Sequence, residues 1–271
     1  MSAAMAPARA GRTRLDVRLV ELQLAESREK AQALVMAGRV RVDGRSATKS
    51  GAAVAGDAVV EVLAGPDHVG RGAVKLAGAL DAFGVSPHGR VAVDVGASTG
   101  GFTETLLARG AARVYAVDVG RNQIHESLRA DPRVVLREGV NARALSAEHV
   151  PEPCGLAVMD VSFISVLKIL PALRDVLARP ADAIVLVKPQ FEVGRMQVGR
   201  GGVVREPALH RQALHGVATA AQDDCGYAVR GACASPITGT EGNREFFLHL
   251  DPAGDPASEA QVAAWVEAAI A

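Results

Sequence analysis

Apolar residues in the larger, later part of the chain form short runs separated by longer stretches with helical spacing. Short apolar runs fit buried strands, and apolar residues three or four positions apart fit one face of a helix. Strands that alternate with helices favour a parallel sheet wrapped by helices. The pattern predicts strands at 91–95, 113–118, 133–136, 155–160 and 183–187, helices at 101–109, 122–129, 163–178 and 206–222, and then two late strands within 227–237 and 244–250 and a closing helix at 258–271.

A different pattern precedes this region. Leu15, Leu19 and Leu22 lie at helical spacing, and a second helix is predicted from Ser27, an N-cap residue type, to a helix-stopping Gly38. The sequence RVRVDG at 39–44 then alternates and turns at its last two residues, as a short strand and hairpin do. The chain therefore begins with a small α+β unit.

Charge separates the same two regions. The whole chain balances 30 basic against 30 acidic residues, so no global field attracts an anionic partner. Residues 12–49, however, hold nine Lys and Arg against five Asp and Glu, an excess of four. Arginines at the start of the second helix fit a phosphate site, because helix N-terminal N–H groups and cations converge there. Composition alone leaves open a second interpretation, a solvated surface of mixed charge.

Targeting and metal patterns point to a cytoplasmic protein without a metal. The N-terminal sequence MSAAMAPARAGRTRLDV lacks the apolar core of a secretory signal. No apolar run approaches the roughly 18 to 20 residues that span a bilayer. The three cysteines have no paired spacing, and the seven histidines are scattered, so we expect no metal site.

A glycine-rich turn follows the strand at 91–95. Its order, Gly-x-x-x-Gly-Gly, differs from the dinucleotide fingerprint, since Ser98 stands where the second glycine would support a pyrophosphate. Asp118 ends the next strand, 24 residues after Asp94, where an acid accepts hydrogen bonds from ribose hydroxyls. S-adenosylmethionine, which has a ribose and no phosphate, fits this site, and NAD is the alternative. The expected cofactor contacts are Asp94, Gly96, Ala97, Ser98, Thr99, Gly100, Gly101, Phe102, Asp118 and Asn141.

Two ionisable residues end neighbouring apolar strands. Asp160 closes GLAVMD, and Lys188 closes AIVLVK. Both would emerge at the carboxyl edge of a parallel sheet, where α/β proteins place their ligands. Lys75 in the expected linker and Glu245 at the start of REFFLHL are two further ionisable residues of interest. Phenylalanines that could stack on a flipped base, or pack in the core instead, are Phe163, Phe191, Phe246 and Phe247.

These motifs resemble a known family. The sequence RLDVRLVELQLAESREKAQALVMAGRVRVDG resembles an S4-type RNA-binding domain, and such domains read RNA shape and backbone, which suits a segment without aromatic residues. The ordered motifs GAVKLAGAL, DVGASTGGFTETLL, MDVSFIS, VKPQFE, GRGGVVRE and GNREFFLHL resemble the TlyA family, which joins an S4 domain to an FtsJ-like ribose methyltransferase. The resemblance runs from about residue 14 to residue 250.

The resemblance implies an α/β fold, with a Rossmann-like S-adenosylmethionine-dependent methyltransferase sheet and a small N-terminal α+β S4 RNA-binding domain. The expected boundaries are 12–63 for the S4 domain, 64–74 for the linker and 75–271 for the methyltransferase. The implied partner is ribosomal RNA of both subunits, bound by a monomer away from membranes. The implied RNA contacts are Arg14, Arg18, Arg28, Lys30, Arg39 and Arg41.

The same resemblance implies methylation of cytidine 2′-hydroxyls in 16S and 23S ribosomal RNA by a tetrad of Lys75, Asp160, Lys188 and Glu245. A lysine, with an ordinary pKa of about 10.4, is a poor base unless burial or a like charge favours its neutral form. We hypothesise that Lys188 is the base and that Lys75 favours its neutral form and holds the 2′-oxygen. Asp160 is expected to position Lys188 and to contact the methionine end of the cofactor, and Glu245 to pair with and orient both lysines.

Two departures from the family pattern concern the linker, where PDHV at 66–69 replaces an aromatic-containing tetrapeptide and Val74 replaces a polar residue. The first departure leaves the mode of coupling between the domains open, but not the chemistry. Two other functions also stay open: a membrane-lytic protein, since the family carries a hemolysin label, and an RNA-binding ribosome assembly factor without methyl transfer.

Overall fold

The computed structural model describes residues 12–25, 27–36, 38–62, 70–199 and 201–271. The chain divides into two compact units, residues 1–67 and 68–271. The atypical tetrapeptide at 66–69 lies outside the described residues. Residues 71–74, at the end of the expected linker, form the first turn of a helix that also carries Lys75.

The first unit is a small α+β domain built on six buried apolar side chains, Leu15, Leu19, Ala31, Val35, Val40 and Val54. Its elements are β1 (Arg12–Arg14), α1 (Leu15–Glu21), α2 (Arg28–Met36), β2 (Val40–Val42), β3 (Arg45–Ser46), β4 (Ala53–Ala55) and β5 (Val60–Val62). Strand β1 pairs with β4, and β2 lies between β3 and β5, all antiparallel.

The predicted hairpin and both helices of this unit are confirmed. Asp43 and Gly44, between β2 and β3, have φ values of 50° and 74°, the left-handed conformations that a two-residue hairpin turn requires. Helix α1 is shorter than predicted, because Gln23 takes a left-handed φ of 57° just after it. Leu22, placed on the helix by its spacing, is consequently outside it and partly exposed.

The second unit is a seven-stranded sheet flanked by helices. Its elements are α3 (Arg71–Phe83), β6 (Val91–Val95), α4 (Gly101–Ala108), β7 (Arg113–Asp118), α5 (Glu126–Arg129), β8 (Val134–Glu138), β9 (Cys154–Met159), α6 (Leu170–Arg174), β10 (Leu177–Val187), α7 (Pro189–Glu192), α8 (Pro207–Asp223), β11 (Ala228–Ala234), β12 (Phe246–Asp251) and α9 (Glu259–Ile270). Side chains alternate across the sheet: Val93 and Val95 enter one buried cluster, and Ala92 enters the other.

The strand order is β11-β12-β10-β9-β6-β7-β8. Strands β6 to β10 are parallel to one another, while β12 is antiparallel to both of its neighbours, so the sheet is mixed rather than wholly parallel. The order reverses between β6 and β9, which lie side by side. Ligands of open α/β sheets bind at the carboxyl ends of strands at such a reversal point.

Two of the predicted helices are much shorter in the structure. The helix predicted at 122–129 begins only at Glu126, because Asn122 has a left-handed φ of 57° and His125 caps α5 by accepting the Ser127 N–H. The helix predicted at 163–178 is replaced by a 3-10 turn and the five-residue α6, and Phe163 before them has a φ of 67°. Strand β10 starts at Leu177, six residues earlier than predicted.

Candidate active site

The glycine turn joins β6 to α4 at the reversal point of the sheet. Gly96 and Gly100 have φ values of 85° and 98°, which other residues rarely adopt. A Cβ atom on Gly96 would overlap the carbonyl oxygen of Asp160, and one on Gly100 would overlap the Leu128 side chain. Gly96 therefore lets the turn lie directly against the end of β9, and Gly100 lets it lie against α5.

Asp94, in β6, is fully buried beneath this turn. Its Oδ2 accepts a hydrogen bond of 2.7 Å from the Thr103 hydroxyl, and its Oδ1 has no hydrogen-bond partner among the residues that the structure describes. Burial raises the pKa of the Asp94 carboxyl to about 7; the Thr103 bond opposes this rise, and the charges of Asp160 and Asp118 add to it. Asp94 thus offers a buried oxygen with unused bonding capacity to a ligand.

Asp118, at the end of β7, holds the turn in place. Its Oδ2 accepts the Ser98 N–H at 2.7 Å, and its Oδ1 accepts the Gly120 N–H at 2.6 Å. Ser98 has a left-handed φ of 49°, which this bond helps to stabilise. Val119, for which the sequence pattern gives no functional signal, is 73% exposed next to Asp118 and offers an apolar surface to a planar base. Asn141 is exposed and caps a 3-10 turn through the Arg143 N–H at 3.1 Å.

These groups suit a cationic nucleoside. S-adenosylmethionine carries a sulfonium, an ammonium and a carboxylate, and is therefore net positive. Three acids, Asp94, Asp118 and Asp160, lie at or near the carboxyl ends of the adjacent strands β6, β7 and β9. A negative environment with a ribose-type acceptor and no pyrophosphate cradle fits this molecule better than a dinucleotide.

Sheet register brings the expected tetrad to one edge. Asp160 follows β9 and Lys188 follows β10, and these strands are parallel. Glu245 precedes β12, whose antiparallel pairing sets Phe246 opposite Val187, so Glu245 emerges beside Lys188. Lys75 reaches the same edge from α3, which packs against α4.

The tetrad forms two ion pairs. Lys75 Nζ lies 2.5 Å from Glu245 Oε2, and both side chains are buried. Lys188 Nζ lies 2.5 Å from Asp160 Oδ1 and donates a 2.9 Å hydrogen bond to the Ser162 hydroxyl. Glu245, expected to contact both lysines, contacts Lys75. Each charge-assisted pair is short and fixes the position of its lysine.

The segment that carries Glu245 is held by contacts the sequence did not reveal. Buried Asn243 accepts the Val204 N–H at 2.9 Å through Oδ1 and donates to the Gly202 carbonyl at 3.0 Å through Nδ2. Arg71 donates to the Thr238 carbonyl at 2.6 Å, which ties the start of α3 to the same segment. Asn243, within GNREFF, and Ser162, within MDVSF, are short polar residues beside tetrad acids; that adjacency was the available signal.

The four phenylalanines fall into two groups. Phe246 and Phe247 are fully buried, so they pack in the core. Phe163, three residues after Asp160, is 91% exposed, and its ring centroid lies 5.3 Å from that of Phe191.

In the first unit, the expected RNA-contacting residues differ in their exposure and in the contacts that they make within the protein. Arg14 and Arg28 are half-exposed and bind Asp16. Arg18 is mostly buried, with bonds to the Gly56 carbonyl and to Glu21. Lys30 and Arg41 are exposed, and Arg39 is partly buried.

The fold and site define a class of protein. The sheet has seven strands, one of them reversed, and its glycine turn lies beside the two acids Asp94 and Asp118. Together with the Lys-Asp-Lys-Glu tetrad at the sheet edge, these features define an S-adenosylmethionine-dependent methyltransferase. The family model for FtsJ-like methyltransferases matches residues 68–251, and the model for the S4 domain matches residues 13–60. The chain belongs to the FtsJ-like methyltransferases and carries an S4 domain ahead of the catalytic unit.

Named relatives cover nearly the whole chain. It is 48% identical over 254 residues to the 16S/23S rRNA (cytidine-2′-O)-methyltransferase TlyA of Mycobacterium tuberculosis, which covers 93% of this chain and 94% of that protein. It is 39% identical over 238 residues to a protein named Hemolysin A of Brachyspira hyodysenteriae, covering 88% and 99%. A solved structure of a candidate hemolysin from Streptococcus thermophilus matches 96% of both chains, with 40% identity and a TM-score of 0.73.

These comparisons confirm the expected fold class, the resemblance to the TlyA family and the use of S-adenosylmethionine by a methyl-transferring enzyme. In the described part of the chain, no helix has the length and apolar character needed to cross a membrane.

Proposed function

We propose that this protein methylates the 2′-hydroxyl of cytidine in ribosomal RNA of the small and large subunits. The observation that carries the proposal is the pair of short Lys–carboxylate contacts, Lys75 with Glu245 and Lys188 with Asp160, at the sheet edge beside the cofactor turn. The name of the M. tuberculosis relative, which aligns over nearly the whole chain, supports the choice of substrate.

The residues at this edge have separate roles in the proposed reaction. S-adenosylmethionine supplies the methyl group as an electrophile on a sulfonium. Lys188, once it has given up its own proton, accepts the proton of the 2′-hydroxyl as the oxygen–methyl bond forms and the sulfur–methyl bond breaks. Asp160, 2.5 Å away, stabilises the ammonium that results. Lys75, fixed by Glu245, contacts the 2′-oxygen and aligns it, and alignment supplies much of the acceleration of such a displacement.

The cofactor contacts are assigned to the turn. Asp94 Oδ1 and the Asp118 carboxylate would hold the cationic nucleoside, and Asp118 has lone pairs left for ribose hydroxyls beside its two N–H bonds. Val119 would supply an apolar surface for the adenine. Phe163, exposed beside the tetrad, supplies an aromatic surface for the target base.

RNA capture is assigned to the S4 unit, and methyl transfer to the unit that begins at residue 68. The proposed substrate supports a location in the cytoplasm, where ribosomal subunits are assembled. The boundaries 12–63, 64–74 and 75–271, action as a monomer and activity without a metal stay predictions.

Replacement of Lys188 by Ala tests the assignment of the base. We expect methyl transfer to fall by about 10²- to 10⁴-fold, since proton transfer by a positioned side chain contributes that much. S-adenosylmethionine binding, measured by calorimetry, should change little. The matched control is Lys168→Ala, an exposed lysine six residues after Ser162, which should keep full activity. Wild-type activity in the Lys188 variant would contradict the assignment.

The substrate is tested by mapping ribose methylation on 16S and 23S ribosomal RNA from cells with and without the gene. A cytidine that loses its 2′-methyl group in the deletion strain, and regains it with wild-type protein only, supports the proposal. Identical maps in the two strains would exclude it.

A further inference from the structure

A buried carboxylate in the first unit has no role in the proposed reaction. Asp16 lies in the first turn of α1, and its side chain is inaccessible to solvent. A buried carboxylate is costly unless it is paired and hydrogen-bonded. Asp16 meets this requirement with two arginines and one glutamine, so the three side chains are ordered around it.

The geometry of these contacts is specific. Arg14 approaches Asp16 with two nitrogens, Nε to Oδ1 at 3.0 Å and Nη2 to Oδ2 at 2.9 Å. Arg28 Nη2 and Gln32 Nε2 both donate to Oδ2, at 3.1 Å and 3.0 Å. Arg28 and Gln32 are four residues apart on α2, so they share one helix face. The Val17 N–H completes the bonding of Oδ1 at 3.0 Å.

Asp16 fixes both guanidinium groups, and both stay accessible to solvent. The side chains of Arg14 and Arg28 are each 53% exposed, although both bind a carboxylate that is 0% exposed. Arg14 uses only Nε and Nη2 for Asp16, which leaves Nη1, and a guanidinium has five N–H donors in all. Gly51 makes room for this arrangement, because a Cβ there would lie 3.1 Å from the Arg14 Nη1 atom. The charge of the cluster is one net positive.

We propose that Asp16 is a positioning residue for RNA binding: it locks the Arg14 and Arg28 guanidinium groups side by side, so that their outer edges form a preformed site for backbone phosphates. The proposal rests on the proposed function of the first unit as the RNA-binding part. An ordered fork loses less side-chain freedom when it binds a phosphate than two mobile arginines would. The arginines also hold the pKa of the Asp16 carboxyl far below its usual range, so the cluster keeps its charge at neutral pH.

This proposal has a consequence opposite to simple charge attraction. Asp16→Asn raises the net charge of the unit by one, and attraction alone predicts equal or tighter RNA binding. Positioning predicts weaker binding, by about five-fold or more, and a salt dependence that is shallower by roughly 0.7 to 0.9 in log–log slope for each phosphate that the protein no longer binds. The matched charge control is Asp57→Asn, an exposed acid in the turn after β4, which should bind RNA at least as tightly as wild type.

The test uses the full chain with purified 16S and 23S ribosomal RNA, and measures affinity at several salt concentrations. Four proteins form a cycle: wild type, Asp16→Asn, Arg14→Ala with Arg28→Ala, and the triple variant. If Asp16 acts through the arginines, its substitution changes nothing once they are absent. Equal weakening in both backgrounds, or unchanged or tighter binding by Asp16→Asn alone, would overturn the proposal.

A second variant covers the case in which Asp16→Asn does not fold. Arg14→Lys keeps the charge and leaves Asp16 in place, but a lysine cannot contact Asp16 bidentately and a phosphate at once. We expect the lysine variant to lose RNA affinity and slope as the alanine variant does, with wild-type binding of S-adenosylmethionine. Wild-type RNA affinity in Arg14→Lys would reject positioning. If the wild-type protein itself fails to bind these RNAs, the failure lies with the proposed function.

Discussion

At the scale of single residues, the cofactor site is organised by acids in different states. Asp118 accepts hydrogen bonds from two backbone N–H groups, and Asp160 is paired with Lys188, whereas Asp94 is fully buried and one of its oxygens has no partner in the described part of the chain. Desolvation therefore dominates at Asp94, and it favours the protonated form. A cation near that oxygen would favour the ionised form. Cofactor binding and the charge of Asp94 are thus coupled.

This coupling predicts a pH dependence of stability without cofactor. The folded protein keeps the Asp94 proton up to about pH 7, and the unfolded chain releases it near pH 4. The contribution of the Asp94 proton to the free energy of unfolding is therefore fully present below pH 4 and is lost as the pH rises to about 7. Three pH units correspond to about 4 kcal/mol, as an order of magnitude.

The measurement is the free energy of unfolding by urea between pH 4 and pH 8 for wild type and Asp94→Asn. We expect the wild-type value to fall relative to the Asn variant across this range. Asp255→Asn, at an exposed aspartate, should follow the wild-type curve. Parallel curves for wild type and Asp94→Asn would show that Asp94 is ionised in the folded protein throughout.

At the scale of elements, strands and turns followed from the sequence better than helices did. Strands β6 and β7 have the predicted bounds, because an apolar run between polar ends is decided by burial on both faces of the sheet. The helices at 122–129 and 163–178 failed where Asn122 and Phe163 take left-handed conformations. Periodicity does not report such local backbone states, which depend on what the rest of the fold packs against them.

The same limit applies to the site. The positions of Asp160 and Lys188 at strand ends could be predicted, since every parallel strand directs its carboxyl end to one edge. The location of Glu245 at that edge depends on the reversal of β12, and only the family resemblance supplied it. Ser162 and Asn243 were missed, because short polar residues in loops have no periodic signal.

The turn between β6 and α4 provides a prediction about an element. Gly96→Ala places a Cβ onto the Asp160 carbonyl and forces a left-handed φ on alanine. Gly89→Ala forces a similar φ of 71° with no atom near the new Cβ, and so isolates the backbone cost, about 1 to 2 kcal/mol.

We expect the Gly89 variant to lose about that much unfolding free energy and to keep methyl transfer. The Gly96 variant should lose more, and its kcat/KM should fall because the turn is displaced from Asp160. Unfolding by urea and steady-state assays measure the two effects. Equal behaviour of the variants would mean that the close approach at Gly96 has no role in the site.

At the scale of the whole molecule, a neutral chain concentrates positive charge in its first fifty residues. If Arg28, Lys30, Arg39 and Arg41 contact phosphates, RNA affinity should fall steeply with salt. Their joint replacement by glutamine should flatten the slope by roughly 0.7 to 0.9 for each phosphate released. The control replaces four arginines of the second unit that are ion-paired at its surface, Arg113, Arg133, Arg211 and Arg230.

Binding to ribosomal RNA between 50 and 300 mM salt, at about five concentrations, measures both slopes. The salt slope could instead be unchanged by the glutamine substitutions in the first unit and reduced by the control substitutions in the second. That result would assign the RNA-binding surface to the methyltransferase unit.

The Lys75–Glu245 contact joins residues 170 positions apart, and this has a consequence for the order of events during synthesis. Helix α3 leaves the ribosome early, but a lysine buried without its carboxylate is strongly disfavoured. The buried environment of Lys75 is therefore complete only after β12 has been translated and inserted between β10 and β11. A nascent chain stopped short of residue 245 lacks one of the four tetrad residues and leaves Lys75 without its carboxylate, so the reactive edge is complete only after residue 245 has been synthesised.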